Sequence, residues 1–257
     1  MDTKYKLYRN VHEIIHPTIS KKNISNYRII LNDDLAPLLI FYPQKVSKMN
    51  KVIIYLHGDK NITKINTYSD FCKDLAREID TLIISIDYDN EDYITTCNSA
   101  NKTIKYLIEE LKKEDILDSD IILMGDSTGA NIIANMQQQN KKILFYPPVA
   151  GNYDAMLEKK SNFYNRDTIV QLISYFSNYS EKNNNIFPVI NKSFINNSKC
   201  LIIVGTSDPL YEENLEFYKL CKNRSKLLEL ELLNHGFLNS NDIEIKKIVV
   251  ENIKNFI

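Results

Sequence analysis

Apolar positions fall into short runs, separated by segments in which they recur at helical spacing. Residues 24–31 and 35–42 predict two strands joined by a turn at Asn32-Asp33-Asp34. Residues 51–56 form a β-rich run that stops at His57-Gly58, and residues 81–86 are a continuous apolar run of the kind found in buried parallel strands. Further strands are predicted at 121–124, 143–146, 200–204 and 227–233, eight in all. Between them Cys72, Leu75, Ala76 and Ile79 share one helical face, with Ser69 as a cap. Ile104, Leu107, Ile108 and Leu111 share another. A helix is predicted to start near Thr128, one to follow Pro209, and a last one to bury Ile245, Ile248, Val249 and Ile253. Residues 149–187 break the rhythm: they are polar, rich in Tyr and Asn, and predict short helices, one around 169–176.

Such alternation predicts an α/β fold, a mainly parallel central sheet of about eight strands with helices on both faces. The 257 residues suit one such domain, 1–257, and 44% hydrophobic content supplies its core. A net charge of −1 gives no reason to expect a nucleic-acid partner. The basic pairs Lys21-Lys22 and Lys141-Lys142 are read as solvated faces. No apolar run approaches the roughly 18 residues of a membrane span, and the first residues lack the apolar core of an export signal. Cys72, Cys97, Cys200 and Cys221 form no C-x-x-C pair and sit beside apolar residues, so free thiols in a cytoplasmic protein are expected.

In open parallel sheets ligands bind beyond the carboxyl ends of the strands. The segments there are His57-Gly58-Asp59-Lys60, Gly125-Asp126-Ser127-Thr128-Gly129, Gly205-Thr206-Ser207-Asp208-Pro209-Leu210 and Asn234-His235-Gly236-Phe237. They hold five of the six glycines, a concentration that turns alone do not explain. A serine hydroxyl is a poor nucleophile until a base takes its proton. His235 suits that base, and Asp208 suits the carboxylate that holds its tautomer. Glycines two before and two after Ser127 relieve crowding in a strained strand-to-helix turn, and the order Ser127, Asp208, His235 is that of an α/β-hydrolase site. Each piece has a plainer reading: a tight turn at Ser127, a helix cap at Asp208, a core histidine at His235, and a loop-orienting role for His57.

With these motifs the chain resembles the α/β-hydrolase fold and, within it, the hormone-sensitive-lipase-like carboxylesterases. That family carries an H-G-G-G loop, a G-D-S-x-G-G elbow, a D-P-L acid motif and an H-G-F histidine motif. Ile86-Asp87-Tyr88 is similar to the start of its D-Y-R-L-A-P-E segment. The likeness runs from about residue 25 to the end. It implies Ser127 as nucleophile, Asp208 as acid and His235 as base, with substrate held at Gly58 and oxyanion donors from the backbone of Asp59, Lys60 and Thr128. Two differences bear on activity. The loop keeps one glycine of three, and Ala130 stands where the family has its last elbow glycine. Asp59 adds a Cβ and a negative charge beside a developing oxyanion, which predicts a slow esterase. Small cap elements are expected from about 1–22 and 149–187, where Tyr153, Phe163, Tyr164, Tyr175, Phe176 and Phe187 either line an acyl pocket or simply pack.

Other readings compete. His12-Glu13-Ile14-Ile15-His16 matches the H-E-x-x-H of zinc proteases. Pro17 follows at once, however, and the next glutamate is Glu78, so no third carboxylate ligand lies nearby downstream. A helix packing Val11, Ile14 and Ile15 is the expectation there. A non-catalytic ligand-binding homologue and an amide or formamide hydrolase with the same triad are the alternatives. The reading adopted is a serine hydrolase of small, short-chain carboxylic esters that needs no metal or organic cofactor. Its oligomeric state is left open.

Overall fold

Short runs rich in β-branched and other apolar residues are poorly suited to face water on either side, and they build the centre of one sheet, with Ser85 and Lys142 as buried polar positions inside it. The computed structural model describes residues 5–7, 10–16, 28–44, 51–58, 68–88, 92–151, 186–189, 198–221, 223–240 and 242–257. Nine strands occur among them: β1 (Tyr5–Leu7), β2 (Arg28–Ile30), β3 (Leu38–Phe41), β4 (Val52–Leu56), β5 (Leu82–Ile86), β6 (Ile121–Asp126), β7 (Lys141–Phe145), β8 (Cys200–Gly205) and β9 (Ser225–Leu230). The order across the sheet is β1-β2-β3-β5-β4-β6-β7-β8-β9. β3 is antiparallel to both its neighbours and every other pairing is parallel.

Six α-helices are described: α1 (Val11–Ile15), α2 (Ser69–Glu78), α3 (Tyr93–Lys113), α4 (Ser127–Asn135), α5 (Tyr211–Cys221) and α6 (Ile243–Phe256). Alternation along β4 sends side chains into two cores. Val52, Ile54 and Leu56 join apolar residues of α1, α3, α4 and α5. Ile53 and Tyr55 join those of α2 and α6 on the opposite face. Because β4 to β8 are covered on both faces, chemistry is confined to the sheet's ends.

All eight expected strands are present. The ninth, β1, pairs parallel with β2 at the edge, inside the stretch that the sequence assigned to a cap. Three residues are too few for periodicity to reveal. Ser69 opens α2 as its first residue, with Tyr68 at the cap position. Ile248 is 44% exposed, whereas Val249 and Ile253 of the same helix are buried as expected. Val11, Ile14 and Ile15 of α1 are buried. Residues 152–185, most of the second cap segment with its expected helix, lie outside the described residues.

The reading of Lys142 as solvated is wrong. β7 is an interior strand, and Lys142 lies in register with Leu123 of β6 and Cys200 of β8. It is 1% exposed, and its ammonium donates to the Met136 carbonyl at 2.6 Å. Burial pulls its pKa down to about 8. The four cysteines are free thiols: Cys72 and Cys200 are buried, Cys97 and Cys221 partly so. Among the described residues, no helix is long and apolar enough to cross a membrane.

Candidate active site

β6 carries its apolar run straight into Asp126, and α4 begins at the next residue. The turn is made at Ser127, whose φ is +47°. A non-glycine residue in the left-handed region costs on the order of 1–2 kcal/mol. The neighbours hold that conformation in place. Asp126 Oδ1 accepts from the Tyr55 hydroxyl at 2.5 Å and from the Gly58 amide at 2.8 Å. Gly129 lets α4 lie directly on the end of β4, since a Cβ there would sit 2.2 Å from the Leu56 carbonyl oxygen. Ala130, in the place of the family's last glycine, is fully buried in the core.

His235 follows β9, and its ring bridges two other strand ends. Nε2 lies 3.0 Å from Ser127 Oγ, and Nδ1 lies 2.9 Å from Asp208 Oδ2. All three residues are 6% exposed or less. A carboxylate oxygen only accepts, so Nδ1 carries the proton and Nε2 is left to take one from the hydroxyl. The Asp208 carboxylate makes two contacts. Its Oδ2 meets His235, while Oδ1 accepts the Leu210 amide at 2.8 Å at the entry to α5. The Tyr146 ring lies 4.5 Å from the His235 ring. Tyr146 itself takes φ +39° as β7 ends.

The expected anion-binding residues divide. Thr128 is buried in the first turn of α4, where backbone N–H groups have no intrahelical acceptor. The Gly58 amide is spent on Asp126, so this residue fixes the loop. Asp59 and Lys60 lie outside the described residues. His57 has the orienting role expected of it. Its Nδ1 donates to the Gly58 carbonyl at 2.6 Å, and its ring stacks on Tyr88 at 4.5 Å and 9°. The Tyr88 hydroxyl donates to the His57 carbonyl.

Several supporting residues have no signal in the sequence beyond their position. Burial raises the Asp126 pKa to about 6, against the opposing effect of its hydrogen bonds from Tyr55, Tyr68 and Gly58. Asn131 of α4 donates to the Pro148 carbonyl at 2.7 Å and the Ile186 carbonyl at 2.9 Å, and accepts from the Tyr93 hydroxyl at 2.5 Å. From α5, Asn214 donates to the Pro147 carbonyl at 3.0 Å, and Glu213 accepts the Val149 amide at 2.6 Å. Val189 donates to the Val149 carbonyl at 3.0 Å. The chain is therefore fixed both where it leaves β7 and again at Ile186. Tyr146 was within reach of the strand-end rule, since it stands one residue past β7. The asparagines and Glu213 were not, because nothing local marks a polar residue that serves a distant carbonyl.

Elsewhere, His12 and His16 meet Glu114 just beyond α3. Glu114, about a hundred positions away in the sequence, is brought there by the packing of α1 on α3.

The chain matches the alpha/beta hydrolase fold family over residues 53–239. No curated protein matches it. Among solved structures it is similar to the Francisella virulence factor BioJ, with 23% identity and a TM-score of 0.76, covering 88% of this chain and 82% of that one. A hyperthermophilic esterase from the archaeon Pyrobaculum calidifontis gives 21% identity and a TM-score of 0.73, covering 85% and 78%. EstE1, a thermostable carboxylesterase cloned from a metagenomic library, gives 17% identity and a TM-score of 0.71, covering 86% and 84%. With the fold, the strand-end motifs and the family match in agreement, the chain belongs to the hormone-sensitive-lipase-like family of α/β hydrolases.

Proposed function

We propose that this protein is a serine hydrolase that cleaves small, short-chain carboxylic esters through an acyl-enzyme on Ser127. The observation that carries the reading is the unbroken hydrogen-bonded line from Ser127 through His235 to Asp208, set at a strained strand-to-helix turn. In this mechanism His235 Nε2 takes the hydroxyl proton as Ser127 Oγ attacks the ester carbonyl. Asp208 holds the ring and offsets the imidazolium charge. The negative oxygen of the tetrahedral intermediate is stabilised by the Thr128 amide at the start of α4, with the backbone of Asp59 and Lys60 as the family resemblance implies. His235 then gives its proton to the leaving alkoxide, and the same ring activates water to free Ser127.

In this reading one domain, 1–257, carries the chemistry, with small cap elements from about 1–22 and 149–187. A cytoplasmic location fits the four free thiols. The substrate is a small molecule, and hydrolysis requires no metal or cofactor in this scheme.

The test is labelling with a fluorophosphonate probe alongside turnover of p-nitrophenyl acetate and of the matching acetanilide. Wild type should label at Ser127 and hydrolyse the ester in preference to the anilide. Ser127→Ala should lose labelling and at least about a thousandfold in kcat while unfolding at the same temperature. Labelling at a different serine, or no labelling of a folded wild type, would reject the assignment. A preference for the anilide would move the proposal to amide hydrolysis.

A further inference from the structure

The catalytic reading leaves His12-Glu13-Ile14-Ile15-His16 without a role. In the structure this segment is α1 and its C-terminal cap, and the His16 amide donates to the His12 carbonyl at 2.8 Å. The two imidazoles project from one side of the helix, with ring centroids 4.5 Å apart. Val11, Ile14 and Ile15 are buried on the opposite side, which fixes how the helix sits. Glu114, which caps α3, meets both rings. Its Oε2 lies 2.9 Å from His12 Nδ1 and 3.4 Å from His16 Nε2. One donor atom from each of the three residues lies within 4.8 Å of the other two.

We propose that His12, His16 and Glu114 bind one divalent transition-metal ion of the zinc type, with water completing its shell. Ligand atoms at about 2.0–2.2 Å from a tetrahedral zinc stand roughly 3.3–3.5 Å apart. The His16–Glu114 separation of 3.4 Å already meets that requirement. The His12–Glu114 separation must open by about half an ångström, exchanging one hydrogen bond for two metal bonds. Two imidazoles and one carboxylate favour zinc, cobalt or nickel over magnesium and calcium, which prefer oxygen throughout. The imidazoles are 59% and 58% exposed, so the ion has a direct path from solvent and room for bound water. Little ordering is needed on binding: buried residues seat α1, and the Glu114 amide donates to the Leu111 and Lys112 carbonyls at the end of α3.

This ion has no part in ester cleavage. α3 spans 21 residues, about 31 Å at 1.5 Å per residue, and Glu114 stands at one end of it. At the other end Tyr93 reaches Asn131 on the helix that carries Ser127. The bound ion instead joins the N-terminal helix to the α/β body through α3, and its effect is on stability.

The experiment uses the full chain without a histidine tag, stripped with chelator and titrated with zinc chloride by calorimetry. Cobalt chloride is added in parallel to read the visible bands of a tetrahedral site. One equivalent should bind, with a rise in Tm. His16→Ala and Glu114→Gln should each weaken binding by at least about tenfold and remove the Tm rise, with p-nitrophenyl acetate hydrolysis unchanged. His12→Gln serves as the third variant should either of these fail to fold. Absence of saturable binding at about 100 μM zinc would overturn the proposal. So would binding that survives the substitutions and disappears on thiol alkylation, which would locate the ion at cysteines. Hydrolysis lost on stripping and restored by zinc would overturn its non-catalytic character.

Discussion

Asp126 stands beside Ser127 and is fully buried. Its pKa rises from 3.8 to about 6 because burial penalises the charged carboxylate more than its hydrogen-bond donors favour it. Between those two values the folded protein holds a proton that the unfolded chain has released. Stability from this group is therefore full below about pH 4 and is lost as pH rises through about 6, a change on the order of 2–3 kcal/mol. Asp126→Asn keeps a carbonyl oxygen to accept from Tyr55 and Gly58 but does not ionise. Urea unfolding from pH 4 to 7 should show the fall in wild type and a shallower profile in the variant. Equal slopes would mean that the carboxyl is not the source.

At the scale of elements, the contact of α4 with β4 decides whether the elbow exists. Gly129→Ala places a methyl group 2.2 Å from the Leu56 carbonyl, an overlap with backbone that no rotamer relieves. Destabilisation of about 3 kcal/mol or more is expected, beyond ordinary overpacking, together with loss of ester turnover. A variant that unfolds at the wild-type urea concentration would show that the helix can ride outward at little cost. The strands on either side of this contact were legible because central parallel strands are mostly apolar, and the residues at their ends because ligands bind there. β1 was not legible, being three residues at an edge. Glu114 was not legible either, since its partner His12 is 102 positions away and no local pattern encodes that distance. Lys142 misled because a charged pair reads as surface unless the neighbouring strands are known.

For the whole molecule, the response to alkali is set partly in the sheet itself. Lys142 has its pKa lowered from 10.5 to about 8 by burial. Between these values the unfolded chain carries a proton that the folded one lacks, so stability from this group grows as pH rises from about 8 and is complete above about 10.5. Lys142→Met should flatten that rise in urea unfolding measured from pH 7.5 to 10, and an unchanged rise would assign it to another group. The same molecule also separates what is fixed from what is free to vary. Asn131, Asn135, Asn214 and Glu213 tie the carbonyls and amides on both sides of residues 152–185, and a Cβ on Gly151 would strike the ring of buried Phe187. Such a closed base behaves as a socket. Whatever is plugged between Gly151 and Ile186 enters with its ends already joined, and the closure cost of a 34-residue insert differs from that of one about a quarter as long by only about 1 kcal/mol. One insert can therefore be traded for another at this point without rebuilding the sheet that holds Ser127.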